Sequence, residues 1–288
     1  MTKKIFFGLL FFGLVFTGCQ DIIDISLPAG QSQLAVDAFL TNQSGAQQIV
    51  LTQTISYFAN QPCPPINGAT VKVTDNTNSK IYTFADSSNT GIYVWKPTAG
   101  DTLGIIGHHY TLSINYDGDN YSATSVINPV PPVDSITYKF GTNAFGKGNK
   151  YHTQFYATDI PHVVDFYWIK QFRNGVLDTK PADITVSQDG GFNGTADDGL
   201  LFIEPIRQIH FGTNLNIGDS VTVQIHAITY QTFMFLQEVR TQTTNGGLFA
   251  TPPANVDSNI HKTTSNTLTT AVGWFSTAAV STNSVTLH

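Results

Sequence analysis

The sequence predicts a mainly β protein: two antiparallel β-sandwich domains of immunoglobulin- or prealbumin-like type, with one helix near residues 229–243. Glutamate occurs only at Glu204 and Glu238, and charged residues make up 12% of the chain, while Thr, Ser, Asn, Gln and Gly fill the polar positions. Helical surfaces favour Glu, Lys and Arg, whereas strand surfaces accept Thr and aromatics. Apolar residues recur at every second position in short runs broken by Gly, Asn, Asp and Pro, which is the period of a half-buried strand.

The N-terminus is read first as an address. Lys3 and Lys4 precede an apolar run from Ile5 to Phe16, and Thr17-Gly18-Cys19 follows. That run is too short to span ~30 Å of hydrocarbon as a helix, so residues 1–18 read as a signal peptide. A cysteine at the cleavage point is the bacterial lipoprotein arrangement. Cys19 is the expected lipidation site, and membrane attachment runs through its acyl chains at ~0.8 kcal/mol per buried methylene. Residues 19–31 form a lipid-proximal tether. Cleavage removes Lys3 and Lys4, which leaves an acidic chain without a basic cluster, so no nucleic-acid partner is expected. Cys63 then has no cysteine partner and is expected as a packed thiol.

Residues 32–127 are expected as the N-terminal sandwich. Leu34, Val36, Ala38 and Leu40 share one face of a first strand, and Gln48–Ile55 returns after the Asn42–Gly45 turn. Ala69–Thr74 and Ile81–Phe84 flank a turn at 75–79. Gly91–Trp95 follows, and the alternating Tyr110, Leu112, Ile114 and Tyr116 turn through Asp117–Asn120 into Tyr121–Ile127. These make roughly seven short strands, about what one sandwich needs. Pro129, Pro131 and Pro132 cannot continue a central strand, so 128–132 reads as a linker.

Residues 133–288 are expected as the second domain. Strands are read at Val133–Phe140, Tyr151–Ala157, Val163–Phe172, Leu200–Ile203 and Ser220–Ile228, with a tight hairpin at Asn174-Gly175. Thr229 can cap a helix over 229–243, where Phe233, Leu236 and Arg240 follow helical spacing and Met234, Phe235 and Val239 widen the stripe. Leu268–Phe275 and Ala278–Leu287 read as two closing strands.

Several segments in this order resemble one family. They are Leu34–Asp37, Pro64–Val73 with its Gly-Ala-x-Val-x-Val core, Gly91-Ile92-Tyr93, Tyr110–Ile114, Asp197-Asp198-Gly199, Gly218–Val223, the helix, and Gly273-Trp274-Phe275. Together with the lipobox they resemble the Bacteroidota lipoproteins of domain-of-unknown-function family 4249. The segment from Gly68 to Tyr93 also resembles the carboxypeptidase-regulatory-like sandwich. The resemblance implies an outer-membrane, cell-surface lipoprotein encoded beside TonB-dependent receptors, with such a receptor as partner. Because the acidic cluster after Cys19 is diluted to Asp21 and Asp24, a periplasm-facing orientation is the alternative.

Gly-x-Ser-x-Gly, His-Glu-x-x-His and phosphate-loop motifs are absent from the sequence, and the chain is read as non-enzymatic. His108 and His109 are adjacent in a strand and so face opposite ways. Asp189, Asp197 and Asp198 lie in a glycine-rich loop and are candidate hard-oxygen ligands for calcium, the one cofactor considered. Tyr57 and Phe58 open a proline-rich loop and are the candidate ligand contact. Trp168 and Trp274 are assigned to the core. Three functions are weighed: a transport accessory for ligand capture, an adhesive or structural surface module, and a hydrolase built from Asp197, Asp198 or His210.

Overall fold

The computed structural model describes residues 31–56, 59–98, 101–142, 149–189, 199–204, 206–246, 250–252, 254–264 and 271–288. The N-terminal half lays down seven strands: β1 (Leu34–Thr41), β2 (Gln47–Gln53), β3 (Thr70–Asp75), β4 (Lys80–Phe84), β5 (Ile92–Trp95), β6 (His109–Tyr116) and β7 (Asp119–Val126). Each falls within two residues of the run its alternation predicts. In β1, Leu34, Val36, Ala38 and Leu40 are buried and Asp37 is exposed.

The C-terminal half adds β8 (Ser135–Gly141), β9 (Lys150–Tyr156), β10 (Phe166–Arg173), β11 (Val176–Leu177), β12 (Thr185–Gln188), β13 (Gln208–Ile209), β14 (Ser220–Ile228), helix α1 (Tyr230–Thr243), β15 (His261–Lys262) and β16 (Val272–Thr286). Asn174 and Gly175 have φ of 51° and 77°, the two positive values a type I′ hairpin requires. The Asp219 carboxylate locks that turn, accepting from Asn174 Nδ2 at 2.8 Å and Arg173 Nη2 at 2.6 Å. With the Asn216 amide, these bonds hold the Asp219 carboxyl down at about 2.

The eight-stranded central sheet runs β11-β10-β14-β16-β1-β2-β5, with β12 also paired to β10. Strand β16 is 15 residues long and joins both halves of the chain. Residues 272–278 pair parallel with β1, and residues 279–286 pair antiparallel with β14. Two expectations are corrected here. The closing segment is one strand, because Ser276 and Thr277 are buried within it and hydrogen-bonded: Thr232 Oγ1 donates to Ser276 Oγ, and Ser125 Oγ takes the Thr277 amide. The 128–132 boundary does not divide the body either, since Ser32–His288 forms one compact unit. The proline segment is free of strand as expected, but it docks on β16: Val133 N donates to Ser281 Oγ at 2.8 Å, and Asn283 Nδ2 donates to Val133 O at 2.9 Å.

One face of the central sheet carries two cores. Near β1, the five-stranded sheet β15-β7-β6-β3-β4 closes a core of Val71, Tyr82, Tyr110, Leu112 and Phe275. Near β14, the three-stranded sheet β13-β9-β8 closes a core of Phe155, Tyr167, Phe202 and Ile225. Both are sandwiches sharing the central sheet, and their strand pairs are antiparallel except for the parallel β1–β16 pair. Each fully buried aromatic or leucine contributes roughly 1.5–3 kcal/mol relative to exposure.

Helix α1 covers the opposite face. Thr229 caps it, with Thr232 N donating to Thr229 Oγ1 at 3.2 Å. Leu236, Phe233 and Phe235 pack with Phe39 and Trp168, and Phe235 stacks on Trp274 at 4.5 Å. The stripe departs from the sequence reading at two positions: Met234 is exposed and Thr232 is buried. Thr232 earns its place by accepting from Trp274 Nε1 at 3.0 Å. Leu200–Ile203 makes only an isolated bridge, Leu201 to Thr158, and no strand.

Candidate functional site

The sequence-predicted site residues are mostly beyond the described residues: Cys19, Tyr57, Phe58, Asp197 and Asp198 all lie outside them. The loop that follows Tyr57-Phe58 returns to β2, where Gln53 N donates to Pro64 O and Ile66 N to Leu51 O. Cys63 in that loop is exposed, which corrects the packed thiol expected. The segment is held to β2 by backbone bonds at Pro64 and Ile66, and the side chain it buries is Ile66.

Asp189 sits just after β12 with φ of 43°. Its Oδ1 accepts the Asp165 amide at 2.7 Å, and its own amide donates to Asp165 O. Nearby, the Tyr167 hydroxyl donates to Asp159 Oδ1 at 2.7 Å and lies 3.2 Å from Asp165 Oδ2. Burial and these carboxylates push the Tyr167 phenol far above its ordinary value. Among the described residues, no group of three or more His, Cys, Asp or Glu is arranged to hold a metal ion.

His108 and His109 part as predicted. His109 is exposed, and the His108 ring donates from Nδ1 to the fully buried Asp75 carboxylate at 2.7 Å.

On the helix side of the central sheet, Lys170 Nζ lies 3.8 Å from the Trp168 ring centroid. Burial pushes the Lys170 amine down to about 8, with the Asp37 carboxylate pulling the other way. Burial, and secondarily the Lys170 charge, holds His226 well below the ordinary imidazole range. A small cavity of about 220 Å³ opens beside Trp168 and Lys170, towards Asp178 and Asp183.

A second concavity lies elsewhere. A groove of about 790 Å³ opens where β8 ends, β9 begins and the chain leaves β13. Strand register builds it. Tyr138 pairs with Thr153, Lys139 with His152, Phe140 with Tyr151 and Gly141 with Lys150. The rings brace one another, Tyr138 against Tyr151 at 6.1 Å and Phe140 against Tyr151 at 5.1 Å. Thr153 Oγ1 donates to Ile209 O, and the His152 ring donates from Nε2 to Gly141 O at 3.2 Å. The far wall is tied to β10, since His210 N donates to Gln171 Oε1 at 3.1 Å and Arg173 Nη1 donates to Thr213 Oγ1 at 2.6 Å. A second tyrosine wall is fixed by Arg207, whose guanidinium lies 4.8 Å from the Tyr156 ring centroid.

Sequence reading passed over this groove. Its only local signal was the Tyr-Lys-Phe and Lys-Tyr-His pattern at 138–140 and 150–152, which becomes a site only once β8 faces β9. Of the residues considered for hydrolysis, His210 lines the groove.

Among the described residues, no helix is long and apolar enough to cross a membrane. No curated protein matches the sequence. The model of a family described as a domain of unknown function, DUF4249, matches residues 20–284, nearly all of the mainly β body described above, so the chain belongs to that family.

Proposed function

We propose that this chain is a lipid-anchored outer-membrane lipoprotein of Bacteroidota, a non-enzymatic accessory that captures a ligand and docks on a TonB-dependent transporter. The groove beside β8 and β9 carries the ligand-capture part of this reading. Its volume of about 790 Å³ is in the range of small-molecule sites, and its rings and polar groups stand on paired strands. Such a preformed wall orders few groups on binding. The Lys3-Lys4 start, the apolar run and Cys19 support the anchor. Family membership supports the partner, through the resemblance to lipoproteins encoded beside TonB-dependent receptors.

Affinity purification of a copy tagged after His288, from gently solubilised outer membrane, tests the proposal. The expected outcome is stoichiometric recovery of one TonB-dependent barrel by mass spectrometry. Recovery of the chain alone would overturn the transport reading in favour of an adhesive or structural surface module.

A further inference from the structure

Lys80, Lys180 and Lys262 each face a carboxylate, from Asp101, Asp183 and Asp119. Lys170 on β10 is held differently. It is half-buried, and its Nζ rests 3.8 Å from the Trp168 ring centroid. Among the described residues, no carboxylate lies within ion-pair distance of that amine. The charge that favours its protonation comes from Asp37 on β1, and His226 on β14 is kept neutral in part by it.

Register places the amine in a cavity. Trp168 and Lys170 are two residues apart on one strand and so share a face. Leu177 stands opposite Phe172 on that same face, and Ile184 precedes Thr185, which pairs with Ile169 on the other. Trp168, Lys170, Leu177 and Ile184 therefore line the cavity of about 220 Å³ from the helix side of the central sheet, where Trp168 and Ile184 join the cluster under α1. Asp178 and Asp183 line it as well.

The lining narrows what this cavity accepts. Burial holds the amine at about 8, so part of it is the free nucleophile near neutral pH. Burial and the Asp178 carboxylate raise the Asp183 carboxyl, which marks a wall already crowded with negative charge. That wall disfavours a carboxylate or phosphate ligand, and equally the carbamate anion that carbon dioxide would form on the amine. An uncharged carbonyl compound adds no anion, either on entry or after reaction.

We infer that Lys170 is a covalent capture site for small uncharged aldehydes or ketones. The amine lone pair attacks the carbonyl carbon, and one N–H proton passes to the oxygen to give a carbinolamine. The hydroxyl then leaves with the second nitrogen proton as water, and a C=N bond forms. The step requires no oxidant or reductant. This site is separate from the β8–β9 groove and does not depend on the ligand-capture reading.

The test uses the full chain purified in mild detergent at pH 7. It is treated with butanal and cyanoborohydride, which fixes any imine as a stable amine, and labelling at each lysine is followed by peptide mass spectrometry. Lys170 should be labelled at least about tenfold faster than the exposed Lys72 and Lys96. The preference should vanish in guanidinium, where the cavity is gone. It should also vanish with a benzaldehyde bearing a triphenylmethyl group, which is too broad to enter. Labelling of Lys170 no faster than that of Lys72 and Lys96 would overturn the inference. Preferential labelling by the broad aldehyde would overturn it too, because the amine would then be reached from outside the cavity. A preference that persists in guanidinium would likewise overturn it, since the reactivity would not come from the fold.

Discussion

Asp75 in the five-stranded sheet and His226 on the helix side of the central sheet are both buried ionisable groups, and they end in opposite charge states. Burial raises the Asp75 carboxyl, but the His108 ring, the Thr77 amide and the Asn78 amide outweigh it and leave it below the ordinary carboxylate range. The two amides come from the 75–79 hairpin, where Asp begins a turn and collects the amides that follow, and the ring comes from His108, just before β6. His226 has no comparable set. Its Nε2 donates to Gln224 Oε1 at 3.1 Å, while burial and the Lys170 cation disfavour imidazolium. A buried charge persists where turn amides and a ring N–H converge on it. It is suppressed where the neighbour carries the charge it would acquire.

Strand β16 packs on both faces of the central sheet, and Gly273 is its most vulnerable point. Gly273 has φ of 101°, and a Cβ placed there would lie 2.0 Å from Val36 O on β1. Neither strand can yield without breaking the register that seats Phe275 in one core and Trp274 against α1. Gly273→Ala should therefore cost roughly 3 kcal/mol or more in chemical denaturation. Gly175→Ala, at a turn with nothing within 4 Å of the added Cβ, should cost about 1 kcal/mol. Equal losses at the two positions would show that β16 shifts freely, and that the packing on its two faces does not depend on its register with β1.

The difference between these glycines also marks what the sequence could reveal. Asn174-Gly175 is a local signal, and the hairpin stands where it was predicted. Gly273 gives no local signal, because its constraint comes from Val36, more than two hundred residues earlier. The same limit explains the split reading of β16. Ser276 and Thr277 look like a break in an apolar pattern, and they are tolerated because Thr232 and Ser125 satisfy them from elements far along the chain. Two-residue strands such as β13 and β15 are too short to show alternation. Strand existence, the helix and its cap were legible because period and capping are local. The shared sheet and the groove arise from register between distant segments, so the tyrosines and lysines at 138–151 carried no site signal in sequence.

The paired side of the comparison is broken at Asp75. Asp75→Asn keeps the size but exchanges the charge-assisted bond to His108 for a neutral one, in a place from which water is excluded. The expected loss at pH 7 is about 2 kcal/mol in guanidinium unfolding. The folded carboxyl lies below its unfolded value of 3.8. Its contribution is therefore complete above about pH 4 and disappears as pH falls through the folded value. Wild type should steepen in its loss of stability there, and Asp75→Asn should be flatter over the same interval. Parallel curves for the two proteins would show that the His108 contact supplies no charge-dependent stability.

The suppressed side is tested at Lys170, where the expected change is smaller and of opposite sign. The folded amine titrates at about 8 against 10.5 unfolded, so between those values the unfolded chain binds more protons. Stability should then rise with pH across that window. Lys170→Met removes the buried cation but also its contact with the Trp168 ring, which offsets about 0.5–1 kcal/mol of the gain. A net stabilisation of about 1 kcal/mol at pH 7 is expected, with no further rise between pH 8 and 10.5. His226 loses one of the two influences that keep it neutral, and burial, the larger, remains. Its ring should therefore still read as neutral imidazole by NMR at pH 6.5 in the variant. A destabilised Lys170→Met protein at pH 7 would reverse the comparison, with the ring contact outweighing the cost of burying the charge. An imidazolium signal from His226 in that variant would assign its suppression to the lysine in place of the burial.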